Sequence, residues 1–153
     1  MLPAVTDRND AAALIIRTDF SDEAAWRAVC TASSQPWGDG DYEPVVHLVD
    51  DPVWAGAAAD DVIAAVSADE ELSVVFLADH ITMRHQEYAL LAVAVLTRDA
   101  CVSDEEFEAY GGSVRVVPAG IHDIHANLLI ANLDFADVAE AARIDPAGIF
   151  RSF

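Results

Sequence analysis

Asp19, Asp50, Asp51 and Asp79 each close an apolar run of this chain: 13 to 18, 45 to 49 (followed by both Asp50 and Asp51) and 73 to 78. If those runs are parallel neighbouring strands, four carboxylates converge beyond their carboxyl ends, where doubly wound sheets bind ligands. A set of oxygen donors suits a hard cation such as Mg²⁺, and a phosphoryl-accepting or phosphate-hydrolysing site can be built on it, with Thr82 as a nearby hydroxyl. The same aspartates have a plainer role, because aspartate caps helices and fixes turns, and Arg17 or Arg84 would neutralise any that are buried. Asn127, Asn132 and Asp134 interrupt an apolar segment, which fits either a binding edge or side chains that satisfy local backbone groups.

Other chemistries find little footing. His122 and His125 lie three apart and His80 and His85 share a loop, yet the chain has neither His-Glu-x-x-His nor Cys-x-x-Cys, so exposed or core-satisfied histidines are expected and no metal is assigned. Gly38-Asp39-Gly40 and Gly111-Gly112 read as turns, and neither a nucleophile elbow nor a dinucleotide fingerprint is present, so no cofactor is called for. All eight basic residues are Arg. A chain without lysine has no side chain for a Schiff base, no P-loop lysine and no kinase lysine. Cys30 and Cys101, far apart in apolar surroundings, read as buried free thiols.

Charge narrows the partners. The formal net charge is −19, which repels phosphate backbones and argues against nucleic acid. Residues 19 to 71 hold 13 acids and one Arg, about −12 of that total. Such a stretch is either a solvated surface or a face that speeds encounter with a basic protein. The longest apolar run, 89 to 96, is far short of the roughly 20 residues of a membrane span, and no basic residue precedes an apolar stretch at the amino terminus. A cytoplasmic setting is expected.

These residues need elements to hold them. The 153 residues suit one domain, with 1 to 12 as a flexible lead and 13 to 153 as the folded unit. The first run leads to a helix capped by Ser21 and buried through Ala25, Trp26 and Val29; Phe20 joins Trp26 in the core. Residues 33 to 44 read as a loop, and Trp37 and Trp54 are candidates for a partner anchor, although packing of a loop onto the domain is the simpler reading. A helix carrying Val62, Ile63 and Val66 follows the second strand, 80 to 87 is a loop, and 90 to 96 is a fourth strand. A helix over 104 to 110 and a strand over 114 to 117 come next. Residues 128 to 133 are assigned a sixth strand and 135 to 142 a helix, because Leu129 to Asp137 echoes Leu14 to Asp22. The alternation predicts a layered α/β fold, a roughly six-stranded, mostly parallel or mixed sheet with helices on both faces.

Leu14 to Trp26, Val49 to Pro52, Ala78-Asp79 with Thr82-Met83, Val114 to Pro118, Asn127 to Phe135 and Gly148 to Phe153 resemble an actinobacterial family of small uncharacterised domains. The resemblance covers nearly the whole chain. It implies a shared fold and a bacterial cytoplasmic setting, and it brings no catalytic residues. The leading expectation is a non-catalytic binding protein for a basic partner, in the manner of an inhibitor or immunity protein. The alternatives are a Mg²⁺-dependent or phosphate-responsive domain using the strand-end aspartates, and a structural adaptor.

Overall fold

Every residue of β1 (Ala13–Arg17) and β3 (Val74–Ala78) is buried. That is the pattern of strands covered on both faces, and it explains their near-continuous apolar sequence, broken only by Arg17 at the end of β1. They form the centre of a six-stranded sheet in the computed structural model, which describes residues 2–5, 7–9, 11–36, 43–96, 98–130 and 132–152. The other strands are β2 (Val46–Val49), β4 (Leu90–Ala94), β5 (Ser113–Val116) and β6 (Ile149–Phe150). Their order is β2-β1-β3-β4-β5-β6. β1 is parallel to β2 and β3, β4 is antiparallel to both its neighbours, and β6 is parallel to β5. The sheet is mixed, as expected.

Helices α1 (Glu23–Ser33), α3 (His80–Arg84), α5 (Ile121–Leu129) and α6 (Phe135–Arg143) pack on one face, placing Trp26, Met83, Ile124 and Val138 against Ile15 and Phe76. α2 (Ala59–Val66) covers the other face with Val62, Ile63 and Val66 on Leu14, Ile16, Val75 and Leu77. A short α4 (Asp104–Tyr110) starts at a Ser103 cap. Trp54 ends a 3-10 turn and is 1 % exposed, so it is a core residue rather than a partner anchor. Trp37 lies outside the described residues, as do Gly38 to Gly40. Phe20 is half-buried.

Several elements differ from expectation. Among the described residues of 128 to 133 none lies in a strand. Ile121, Ile124, His125 and Leu128 recur at helical spacing and α5 runs through them to Leu129, so the 3.6-residue period of the buried stripe decides the segment. The sixth strand is instead the two-residue β6, both residues buried, tied to the end of β5 by Val117 N–H donating to the Phe150 carbonyl at 3.1 Å. The first helix is capped by Asp22, which accepts from Ala25 N–H at 3.0 Å, rather than by Ser21. Residues 80 to 84 are helical because Asp79 and Thr82 close a reciprocal capping box. Neither cysteine is in a disulfide and both are only partly buried, and burial raises the Cys30 thiol above its ordinary value.

The segment ahead of β1 is tied to the domain. Arg8 pairs with Asp69 at 2.9 Å and donates to the Ala12 carbonyl at 2.8 Å, and Leu2 and Val5 pack beside α2. On the opposite face His122 and His125 serve as core residues. The Nε2 of His122 lies 2.7 Å from the Ser33 carbonyl and that of His125 lies 3.1 Å from the Ala11 carbonyl, so each ring is a donor at Nε2.

Burial lowers the pKa of both histidines, outweighing the backbone hydrogen bonds that favour the charged ring. As pH falls below the unfolded value of 6.5, the unfolded chain takes up protons that the native rings resist. The stability these rings contribute is therefore complete above that value and is lost from there down to their lowered folded values. Carboxylates such as Asp79, also lowered, lose their contribution only below their own unfolded value of 3.8. Urea melts at about pH 7.5 and about pH 5.5 should show the wild type weaker at the lower pH, with a smaller difference in His122→Gln/His125→Gln. An unchanged pH dependence in the double variant would refute the assignment.

Candidate functional site

Because β1, β2 and β3 are parallel, the segments that leave them all begin at one edge of the sheet. The chain leaves β1 for its neighbour β2 and leaves β3 for β4 on the other side, so the connections diverge between β1 and β3. A crevice at such a divergence is where open α/β sheets bind ligands. Here it is a cleft of about 650 Å³, lined among others by Asp19, Gly56, Asp79, His80 and Arg84. Its wall is stitched by the Ala78 carbonyl, which accepts from Thr18 N–H at 3.0 Å and Asp19 N–H at 3.3 Å, and by Gly56 N–H donating to the Thr18 carbonyl at 2.8 Å. Gly56 has φ +73°, a conformation that favours glycine.

The four strand-end aspartates divide into two pairs. Asp19 and Asp79 line this cleft, whereas Asp50 and Asp51 line a separate groove of about 300 Å³ with Val5, Asp7, His47 and Trp54. Each is engaged locally. The Ser21 side chain, against the effect of burial, lowers the pKa of Asp19, which also accepts from Ser21 N–H at 2.8 Å. Asp51 accepts from Val53 N–H at 3.0 Å. Asp79 accepts both prongs of the Arg115 guanidinium at 2.9 and 2.7 Å, together with the Thr82 N–H and hydroxyl at 3.0 Å each. Burial pushes the Asp79 carboxyl up, but the Arg115 fork and Thr82 outweigh it and hold it below its ordinary value. Thr82 is thus a capping residue, and its hydroxyl is spent on Asp79.

Arg17 organises the neighbouring corner. Its side chain is 3 % exposed and reaches Asp50 at 3.1 Å, Glu23 at 2.9 Å and the Asp19 carbonyl at 3.0 Å. The guanidinium lies 4.3 Å from the Phe20 ring centre and 5.4 Å from that of Trp26, whose indole N–H donates to Asp50 at 3.2 Å. Asn132 lies in the turn after α5, exposed, and bonds Asn127 at 2.8 Å, so it joins neither aspartate pair.

Arg115 and the Trp26–Asp50 bond were not singled out from the sequence. The available signal for Arg115 was its place between Val114 and Val116 in a strand, where a partly buried guanidinium needs a carboxylate. Among the described residues no group of three or more His, Cys, Asp or Glu side chains is placed to hold a metal ion. Another hollow, of about 710 Å³, lies away from the strand ends, against α2 and the amino-terminal segment, with Leu2, Val53, Asp61 and Ala65 among its lining residues.

With its carboxylate occupied, Asp79 should behave as a structural residue. Asp79→Ala is expected to cost about 2–4 kcal/mol in chemical melts, because it strands the partly buried Arg115 and uncaps α3. Calorimetry with millimolar Mg²⁺ should give no binding heat in the wild type. A heat that disappears in Asp79→Ala would show that Arg115 yields the carboxylate to a cation.

Comparison with known proteins adds membership rather than chemistry. No curated protein matches the chain. Residues 12–153 match the domain of unknown function DUF6924, nearly the whole length, and the chain belongs to that family.

Proposed function

We propose that the chain is a non-catalytic binding protein, of the inhibitor or immunity kind, for a basic protein partner in a bacterial cytoplasm. The observation that carries this reading is the set of exposed carboxylates at one edge of the sheet. Asp22 and Glu23 open α1, Asp50 and Asp51 follow β2, and Asp60 and Asp61 open α2, all beyond the carboxyl ends of parallel strands. Of the neighbouring cations, Arg17 is buried and committed to Asp50 and Glu23, and the exposed Arg27 lies 4.0 Å from Glu23. Glu43, Glu70 and Glu71 precede β2 and β3 and so fall at the opposite edge, which divides the acidic stretch from 19 to 71 and leaves the first set as the face.

A Mg²⁺-dependent or phosphate-responsive role would need Asp19 and Asp79 free in the cleft, and Asp79 is occupied. A structural adaptor has no need of concentrated charge. The acidic edge instead suits fast, steered encounter with a cationic surface.

A deca-arginine peptide provides a defined probe. Its on-rate should fall by about tenfold or more between about 50 and 500 mM salt, while the off-rate changes much less. Neutralising Asp22, Asp51, Asp60 and Asp61 to Asn, which keeps the caps intact, should slow association more than neutralising Asp104, Glu105, Glu106 and Glu108 to their amides. Both sets remove equal charge. Equal slowing by the two would reduce the acidity to ordinary surface solvation.

A further inference from the structure

β2 is an edge strand whose outer side no described residue pairs with. Ala13 N–H donates to the Val45 carbonyl at 2.9 Å, and Ala13 stands in register with Val46. In a parallel ladder this turns the backbone groups of Val45, His47 and Val49 toward β1 and those of Val46 and Leu48 outward. Natural edge strands are guarded by lysine, internal proline, bulges or short length. β2 has the last of these alone, at four residues, and it carries the exposed Leu48 at 39 %, with Val45, just ahead of the strand, exposed at 48 %.

We propose that the outer edge of β2 receives an extended segment of a basic partner as an added strand, a proposal that rests on the basic-partner reading above. Main-chain bonds to Val46 and Leu48 would give the segment its register, and its apolar side chains, all on one face, would cover Leu48. Charge selects the occupant. Glu43 precedes the strand, Asp50 and Asp51 follow it, and Asp7 sits 3.6 Å from His47 on the adjoining groove. A second copy of this chain would bring the same carboxylates face to face, whereas a segment alternating basic and apolar residues meets them with opposite charge.

The test uses an end-capped, eight-residue peptide of alternating Lys and Val, the same peptide N-methylated at every backbone amide so that neither edge can donate, and a Glu–Val counterpart. Amide exchange in the whole chain is read by NMR. The Lys–Val peptide should slow exchange at Val46 and Leu48 by about tenfold or more, and the N-methylated and Glu–Val peptides should not. Leu48→Pro removes an outward N–H and leaves the ladder to β1, so it should abolish the effect. Should that variant fold poorly, the N-methylated peptide alone decides. Equal binding of the methylated peptide would overturn the edge while leaving the acidic-face reading intact, since that reading needs charge alone. No slowing with the Lys–Val peptide at millimolar concentration would also overturn the edge, and the deca-arginine kinetics judge the acidic face separately. Concentration-dependent protection without peptide would assign the edge to a second copy and overturn the proposal.

Discussion

A guanidinium on a wholly buried strand must find carboxylates within its own reach, and Arg17 at the end of β1 imposes that demand on the structure around it. Its partners come from three separate stretches of chain: Glu23 from the start of α1, Asp50 from the end of β2, and the Asp19 carbonyl from the corner between β1 and α1. Phe20 and Trp26 flank its plane, and Trp26 supplies a second bond to Asp50. A buried charge left without partners costs several kcal/mol, so the corner must close in this arrangement once β1 is central. The first helix, the edge strand and the acidic edge are thereby locked in register.

Arg115 repeats the device on the other side of the cleft. It reaches from β5 across β4 to Asp79, and Asp79 in turn caps α3 through Thr82. Two arginines on strands therefore consume two of the four strand-end aspartates. The carboxylates that remain exposed are largely helix-opening residues, where they oppose the positive end of a helix dipole and still present charge to solvent. An acidic edge assembled this way is compatible with a stable fold, because its like charges are anchored to separate helices and offset from within by Arg17.

The two ends of the sheet are held in different ways. At the edge beyond β1 and β3 the backbone is stitched by Thr18, Ala78 and Gly56 around a cleft, while the far side is held by Arg8 with Asp69 and by the two buried histidines. The second group is structural, and its two histidines titrate with folding. The first group frames the cleft, and the outer side of β2, which no described residue pairs with, adjoins it.

Local pattern determined most of the elements. Apolar runs at 13 to 18, broken only near the end by Arg17, and at 73 to 78 announce central strands, Trp26 and Val29 announce the buried face of α1, and the alternation of strands with helices announces a layered α/β fold, because each of these is a matter of neighbours in the chain. The helix over 135 to 142 is equally legible, but 128 to 133 reads as a strand where two periods compete, and β6 was missed because two residues carry no period; only the vacancy beside β5 makes them a strand. The candidate site divides the same way. Aspartates at strand ends are legible as a list, but whether they converge depends on strand order, which sets Asp19 with Asp79 and Asp50 with Asp51. Their availability depends on arginines far away in sequence, 36 residues for Arg115 and Asp79 and 33 for Arg17 and Asp50. Pairings at that distance are decided by packing and desolvation, so composition and spacing determined what charges the chain carries, and only the tertiary structure decided which of them are spent.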